Sequence, residues 1–193
     1  MYMIKRCVAP LALCLCALPS TARAACFPVV GSVTLPSVPA CTIAGHIPAP
    51  GTPGAWVYTG QCFSVRLSVL GFPLGTGYAG VTAEPILGAD NTPTMTPAVI
   101  PVDGQPLPRQ IVQTARSAIT LGSGSRRTTL YSSDVTVIQP DFSSGQLEPA
   151  AVTEQIIITG TDGQGSWANV TGHLTVAGNS IGQPAPLMGK ICR

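Results

Sequence analysis

One carboxylate stands out among the side chains of this chain that could do chemistry. Glu154 lies in a strongly alternating segment, where it shares one face with Ile156 and Ile158. Because alternate residues of a β-strand point to the same side, Glu154 is predicted to face the interior of the fold. A carboxylate in that position must be paired or hydrogen-bonded, or it keeps its proton. The residue is therefore either an internal acid or ligand anchor, or a structural carboxylate with Arg116 as its partner.

Other residues with chemical potential carry weaker patterns. His173 lies on the polar face of its segment and His46 lies in a Pro-rich region, so neither stands beside a recognisable nucleophile. The sequence contains no G-x-S-x-G elbow, which argues against a serine hydrolase. Residues 75–80 read G-T-G-Y-A-G, a formal dinucleotide fingerprint. Without a following helix, this segment is better explained as a hairpin turn. The sequence thus predicts no catalytic pair, no metal and no cofactor.

The first 25 residues are typical of an export signal rather than of a fold. Lys5 and Arg6 precede an apolar run over residues 7–18, and a small-x-small cleavage pattern ends at Ala24. The run is shorter than the ~20 apolar residues that span a bilayer. We therefore predict cleavage next to Ala24 or Ala25 and a secreted or periplasmic mature protein without a transmembrane segment.

Loss of this leader changes the charge of the chain. The full sequence has a formal net charge of +2, whereas the mature part keeps seven basic and eight acidic residues, a net charge of −1. Its one basic pair, Arg126-Arg127, is predicted to lie in a solvated turn. This near-equal number of basic and acidic residues argues against nucleic acid or anionic lipid as a partner. Charged residues make up 9% of the sequence, against ~25% in an average soluble protein.

The cysteines of the mature part predict disulfides. Cys26, Cys41, Cys62 and Cys192 remain after cleavage, and an even number in an exported chain indicates two bridges. Four cysteines allow three pairings, which the sequence leaves open; we favour Cys41–Cys62 and Cys26–Cys192. Zinc is the weaker alternative, because no Cys-x-x-Cys spacing occurs. Lipidation of Cys26 is another alternative, although Arg23, three residues before it, is not apolar.

The mature part is predicted to be all-β. Pro or Gly interrupts nearly every candidate helix, and the prolines of residues 26–54 indicate an extended arm or loops ahead of a domain at 55–193. A second Pro-rich stretch, residues 93–108, predicts a long irregular loop. Antiparallel strands joined by short turns need closure or a second sheet to hide their edges. The strand candidates are residues 63–69, 79–87, 111–121, 128–138, 151–159 and 167–176.

The second half of the chain resembles a known family. Glu154, the segment I-I-I-T-G that ends at Gly160, and G-Q-G-S-W-A-N-V-T-G over residues 163–172 are similar to a signature of secreted bacterial proteins like allene oxide cyclase and plant dirigent proteins. The resemblance covers residues 110–180 and departs at Gln164 and Ser166, where the family has Thr and Arg. It implies an antiparallel β-barrel of about eight strands with a small lumen, which the predicted disulfides would staple. The residues that we predict to bind a ligand in this lumen are Glu154, Arg116, Tyr131 and Trp167.

Two functions follow as predictions. The first is an exported β-barrel that binds a small apolar or aromatic molecule in its lumen. The alternative is a structural or adhesive surface module, such as a pilus-like subunit, whose N-terminal arm adds a strand to a neighbouring copy in a homo-oligomer. The sequence favours a role without catalysis, because isomerase or cyclase activity is implied only by the resemblance and fold does not transfer function.

Overall fold

The computed structural model describes residues 25–40, 57–88, 91–101, 108–146, 148–178 and 181–193. These segments are almost entirely β-strand, with two single-turn 3-10 helices at Gly124–Arg126 and Gly165–Trp167. The strands are β1 (Cys26–Thr34), β2 (Ser37–Val38), β3 (Val57–Val69), β4 (Phe72–Ala83), β5 (Pro85–Leu87), β6 (Pro93–Met95), β7 (Ala98–Pro101), β8 (Pro108–Leu121), β9 (Thr128–Asp141), β10 (Glu148–Thr161), β11 (Thr171–Gly178) and β12 (Ala185–Cys192).

Eight of these strands form a closed antiparallel barrel, which confirms the predicted fold class. The order around the wall is β1-β12-β11-β10-β9-β8-β4-β3, and β3 pairs back onto β1. The closing contact pairs Gly31–Thr34 with Arg66–Val69. Closure removes the open edges that an antiparallel sheet of this size would otherwise expose.

Alternation along the strands fills the barrel. On β10, Glu154, Ile156 and Ile158 are buried while the residues between them are exposed. Every barrel strand contributes aliphatic side chains to the same core, and alternate positions on each strand face solvent or an outer layer. The buried aliphatic core comprises Val33, Val65, Leu67, Ala79, Ile119, Leu121, Leu130, Ile156, Ile158, Val170, Leu174, Val176, Leu187 and Ile191.

The glycines of segment 75–80 serve close packing between strands and not a turn. The whole segment lies inside β4, so the predicted hairpin at this point is wrong. A Cβ atom on Gly77 would collide with the carbonyl oxygen of Ala118 on β8. Glycine is therefore needed there because the neighbouring backbone approaches too closely for any side chain.

The barrel begins earlier in the chain than the composition predicts. The prolines predict an arm over residues 26–54, whereas Cys26–Thr34 is the barrel strand β1. Pro28 is compatible with this position because β1 pairs with β12 along Cys26–Val33, and its pairing with β3 begins only at Gly31. Proline has no backbone N–H to donate, and at position 28 this missing donor can lie on the side of β1 that has no hydrogen-bonded neighbour there. Residues 41–54 of the expected arm lie outside the described residues.

The termini of the barrel are tied together by a disulfide. Cys26 and Cys192 are directly opposite in the β1–β12 ladder and are bonded, as we favoured from the sequence. Backbone hydrogen bonds between Ala25 and Arg193 extend the same ladder. Cys62 is also disulfide-bonded, and Cys41, its expected partner, lies outside the described residues.

A small outer layer covers one side of the wall. The β5–β6 hairpin and β7, which pairs with β8, occupy much of the stretch predicted as irregular loop. Thr82, Thr96 and Thr114 are buried beneath this layer and bond to one another, with Thr96 Oγ1 2.6 Å from Thr114 Oγ1. The outer layer explains why outward-facing positions of β4 and β8 are buried. Residues 102–107 lie outside the described residues.

Candidate functional site

A cavity of about 60 Å³ lies at one end of the barrel, and Glu154 projects into it. The end is formed by the last residues of β1, β4, β9 and β11 and the first of β8, β10 and β12. Most of the lining is aliphatic or aromatic, with Gln113 and Thr136 as polar neighbours on β8 and β9. Ile181, 45% exposed, belongs to the rim. We call this space the end cavity.

Glu154 reaches the end cavity as predicted, but without the predicted partner. Its side chain is 7% exposed, and none of the described residues hydrogen-bonds to it or forms an ion pair with it. Its neighbours across the ladders are Thr136 on β9 and Val176 on β11. A carboxyl group in such surroundings is more stable with its proton than without it.

A second buried acid, Asp134, lies next to Glu154 on the inner face of β9. The register pairs Asp134 with Ile156, so the two carboxyl groups occupy diagonal positions on adjacent strands. Ser117 Oγ donates to Asp134 Oδ2 at 2.5 Å. The other oxygen, Oδ1, is buried without a hydrogen-bond partner, as is the hydroxyl of Ser132.

Burial shifts both acids in the same direction. Desolvation, reinforced by the charge of Asp134, raises the pKa of Glu154 from 4.5 to about 8. Desolvation also raises the pKa of Asp134, from 3.8 to about 6, against the lowering effects of the Ser117 hydrogen bond and the charge of Arg116. At neutral pH Glu154 is therefore mainly a neutral hydrogen-bond donor, whereas Asp134 is mainly ionised.

Arg116 lies on the outer face of β8 and does not meet Glu154. Its guanidinium makes a bidentate ion pair with Glu84, with Nη2–Oε2 at 2.9 Å and Nε–Oε1 at 3.2 Å. Thr82 Oγ1 donates to the same Oε1 atom at 2.7 Å. The alternation of β8 requires this, because Ala115 and Ser117 face the lumen and Arg116 between them cannot. Its role is to attach the outer layer, and through the wall it stabilises the charge of Asp134.

The other two predicted ligand residues are also separated from Glu154. Tyr131 faces outward from β9 and packs with Cys62, Ala118 and Tyr78 in a cluster outside the barrel. Trp167 lies in the 3-10 turn at the opposite end, partly buried against the main core. The predicted set of four therefore divides among three places, and only Glu154 reaches the end cavity.

His173 does not line the end cavity. His173 is exposed on β11, with Nε2 3.0 Å from Oε1 of Gln155, as its polar neighbours predict. His46 lies outside the described residues.

The sequence pattern of β9 does not identify Asp134 as an inward-facing residue, for an identifiable reason. The odd positions of β9 carry Tyr131 and Val135, which look like a core face, whereas Asp134 shares its face with Ser132. The pattern that identifies the inner face of β9 is its even-numbered residues from Leu130 to Ile138. The residues at the two ends of this set, Leu130 and Ile138, are apolar and buried. A face that is apolar at both ends and polar in the middle indicates a lined cavity, because a solvated face would be polar throughout.

The end cavity can hold a small molecule but not a large one. Its volume is well below the ~300 Å³ at which typical small-molecule sites begin. Its aliphatic wall suits the apolar part of a ligand, and a protonated Glu154 can donate a hydrogen bond to one oxygen of that ligand. Across the described segments, no three His, Cys, Asp or Glu side chains are grouped so that they could hold a metal.

Comparison with known proteins gives no relative for this chain: no family model, no curated protein and no solved structure matches it. The resemblance to the allene oxide cyclase and dirigent proteins stays a prediction. In the described part of the chain, no helix has the length and apolar character needed to cross a bilayer.

Proposed function

We propose that this protein is a small β-barrel that binds a small, mainly apolar molecule in the end cavity, with Glu154 as the polar anchor. The observation that carries the proposal is a carboxyl group buried among aliphatic side chains, facing a cavity, without a partner among the described residues. Burying such a group costs free energy, and a purely structural interior would be more stable with an apolar residue there. A bound molecule with an acceptor oxygen would offset that cost.

The chemistry of the end cavity narrows the ligand. Since Glu154 is mainly protonated at neutral pH, it favours an acceptor such as a carbonyl or ether oxygen. Phe63 and Val81 are among the apolar lining residues, and the small volume of the cavity favours a compact aliphatic body. A small ketone such as acetone has both features. The same features suit retention or transport of the molecule, since none of the described residues that line the cavity is paired with Glu154 for proton transfer.

Native mass spectrometry tests this proposal. The protein is expressed as the full chain, purified with its disulfides intact, and compared with its Glu154→Met and Glu148→Met variants. Glu148 is the control because it lies on the same strand, β10, but is exposed. Methionine removes the donor, whereas the amide of a glutamine would donate in place of the neutral carboxyl group. We expect a small adduct on the wild-type protein and on Glu148→Met that falls at least tenfold in occupancy in Glu154→Met, the loss expected for one buried hydrogen bond.

Two results would contradict the proposal. One is an adduct that survives unchanged in Glu154→Met, since the anchor would then lie elsewhere. The other is the absence of any adduct together with no binding of added acetone or dimethyl ether, two probes that are small enough for the cavity and carry the expected acceptor. The proposed secretion, and the alternative of an assembling surface module, are separate predictions. The strand donation imagined for that module cannot use Cys26–Thr34, which already pairs within its own barrel.

A further inference from the structure

A second and larger cavity lies on the outside of the barrel, away from Glu154. It spans the outer faces of β3, β4, β8 and β9 and has a volume of about 620 Å³, within the range typical for small-molecule sites. The glycine-rich turn after β10 forms one wall through Asp162 and Gln164. We call this space the outer groove.

Two tyrosines and an alanine form the first row of the outer groove. Tyr78, Ala118 and Tyr131 are direct cross-strand neighbours on β4, β8 and β9. Both tyrosines are half-buried, because they pack on Cys62 beside Ala118. The small side chain of Ala118 leaves space between the two rings. Each ring presents an apolar face and a hydroxyl group, which suits a ligand with both C–H and O–H groups.

Hydroxyl groups form the second row. Thr76, Thr120 and Thr129 are cross-strand neighbours one step along the same three strands, and Oγ1 of Thr120 lies 3.2 Å from Oγ1 of Thr129. Ser64, paired with Tyr78 across the β3–β4 ladder, adds another hydroxyl. A hydroxyl both donates and accepts, so a row of them complements a ligand that is itself rich in hydroxyl groups.

The charge of the outer groove is positive. Arg66 and Arg127 line it, and among the described residues neither is in an ion pair. The one acid in the lining, Asp162, is occupied locally: its two oxygens accept backbone N–H bonds from Thr129 and Gln164, each at 3.0 Å. Arg127 lies close enough to Asp162 for their charges to interact, although the two side chains form no ion pair. A ligand carboxylate would therefore meet Arg127 beside Asp162 and Arg66 away from it, and guanidinium binds carboxylate in a planar, bidentate manner.

We propose that the outer groove binds a short oligosaccharide that carries carboxylate groups. Sugar rings supply the C–H faces and hydroxyls that the tyrosines and threonines complement, and the carboxylates pair with Arg66 and Arg127. The register aligns Arg66 with Thr129 across three strand intervals, roughly 14 Å at ~4.8 Å for each interval, and Arg127 lies two residues before Thr129. The two arginines would therefore contact carboxylates on different rings of the same chain.

The test is an NMR titration of the wild-type protein with trigalacturonate, using the fully methyl-esterified trimer as the uncharged control. We expect amide shift changes around Tyr131 and binding of the acid at least tenfold tighter than binding of the ester. Arg66→Gln and Arg127→Gln should each weaken binding about tenfold, the loss of one charge-assisted hydrogen bond. Arg126→Gln is the matched control, because Arg126 is exposed next to Arg127 but does not line the groove.

Several results would overturn the proposal. Equal binding of acid and ester would remove the role of the arginines, and equal binding of tripolyphosphate would remove the role of the sugar. Shift changes confined to residues around Glu154 would assign the ligand to the end cavity. An effect of Arg126→Gln as large as that of Arg127→Gln would reduce the site to general surface charge. Unchanged binding in Glu154→Met is expected, which separates this site from the end cavity.

Discussion

The two buried acids predict that the folded protein loses stability as the pH rises. The pKa of Glu154 is raised in the folded state, so the native protein holds a proton that the unfolded chain has already released above pH 4.5. Stability rises with pH only where the unfolded state binds more protons, and here it binds fewer. The contribution of Glu154 is therefore fully present below about pH 4.5 and is lost as the pH rises through about 8.

The size of the loss follows from the interval between these values. It spans roughly 3.5 pH units, and at about 1.4 kcal/mol per unit the loss is of the order of 5 kcal/mol. Asp134 has the same sign over a lower window, from 3.8 to about 6. Its contribution to the loss is complete near neutral pH, so the change between about pH 7 and pH 9 reports mainly Glu154.

Urea unfolding with the disulfides intact measures this dependence. Between about pH 5 and pH 9 the free energy of unfolding of the wild-type protein should fall by several kcal/mol. Glu154→Gln removes the titrating group, so its profile should be nearly flat above pH 7 and the variant should be the more stable protein at pH 9. Glu148→Gln, at the exposed end of the same strand, should follow the wild-type profile. A flat wild-type profile, or a slope that persists in Glu154→Gln, would contradict the burial of this carboxyl group.

Three further perturbations test the fold around the site. Gly77→Ala should lower the free energy of unfolding by at least about 2 kcal/mol in urea, because its Cβ would collide with the neighbouring strand, whereas Gly160→Ala, with open space around it, should change it little. Cys26→Ser should lower the free energy of unfolding by about 2–5 kcal/mol, since the bridge closes a loop with a sequence separation of 166; no loss on thermal or urea unfolding would exclude a stabilising bridge. Arg116→Gln should raise the pKa of Asp134 as measured by carboxyl NMR, because the guanidinium charge lowers it; an unchanged value would show that the charge does not act across the wall.

The strands that alternate clearly were predictable from the sequence. Phe63, Val65 and Leu67 on β3 share the lumen face, as the pattern predicts, and Glu154 does so on β10. These positions need only the two-residue period of a strand and a buried side. The pairing of Cys26 with Cys192 follows from the same geometry, since closing a barrel brings its first and last strands together.

The features that the sequence does not predict depend on what packs against a strand. The outer layer buries outward positions such as Thr82 and Thr114, so polarity no longer reports the inner face. On β9 the larger side chains face outward, and the polar residues, Asp134 among them, line the lumen. The outer groove combines two strand pairs, β3–β4 and β8–β9, that are distant from each other in sequence, and only their register places Arg66 in line with Thr129. Such a site has no local signature, which is why Tyr131 was assigned to the lumen.

The most direct test of the proposed function is the carboxyl 13C NMR titration of Glu154, without and with saturating acetone. The account predicts a midpoint of about 8 for Glu154 in the free protein, a further rise when the ketone accepts its proton in a hydrogen bond, and no response of the exposed Glu148. A midpoint close to the ordinary value of 4.5, or one that the ketone leaves unchanged, would contradict a buried anchor in a ligand cavity.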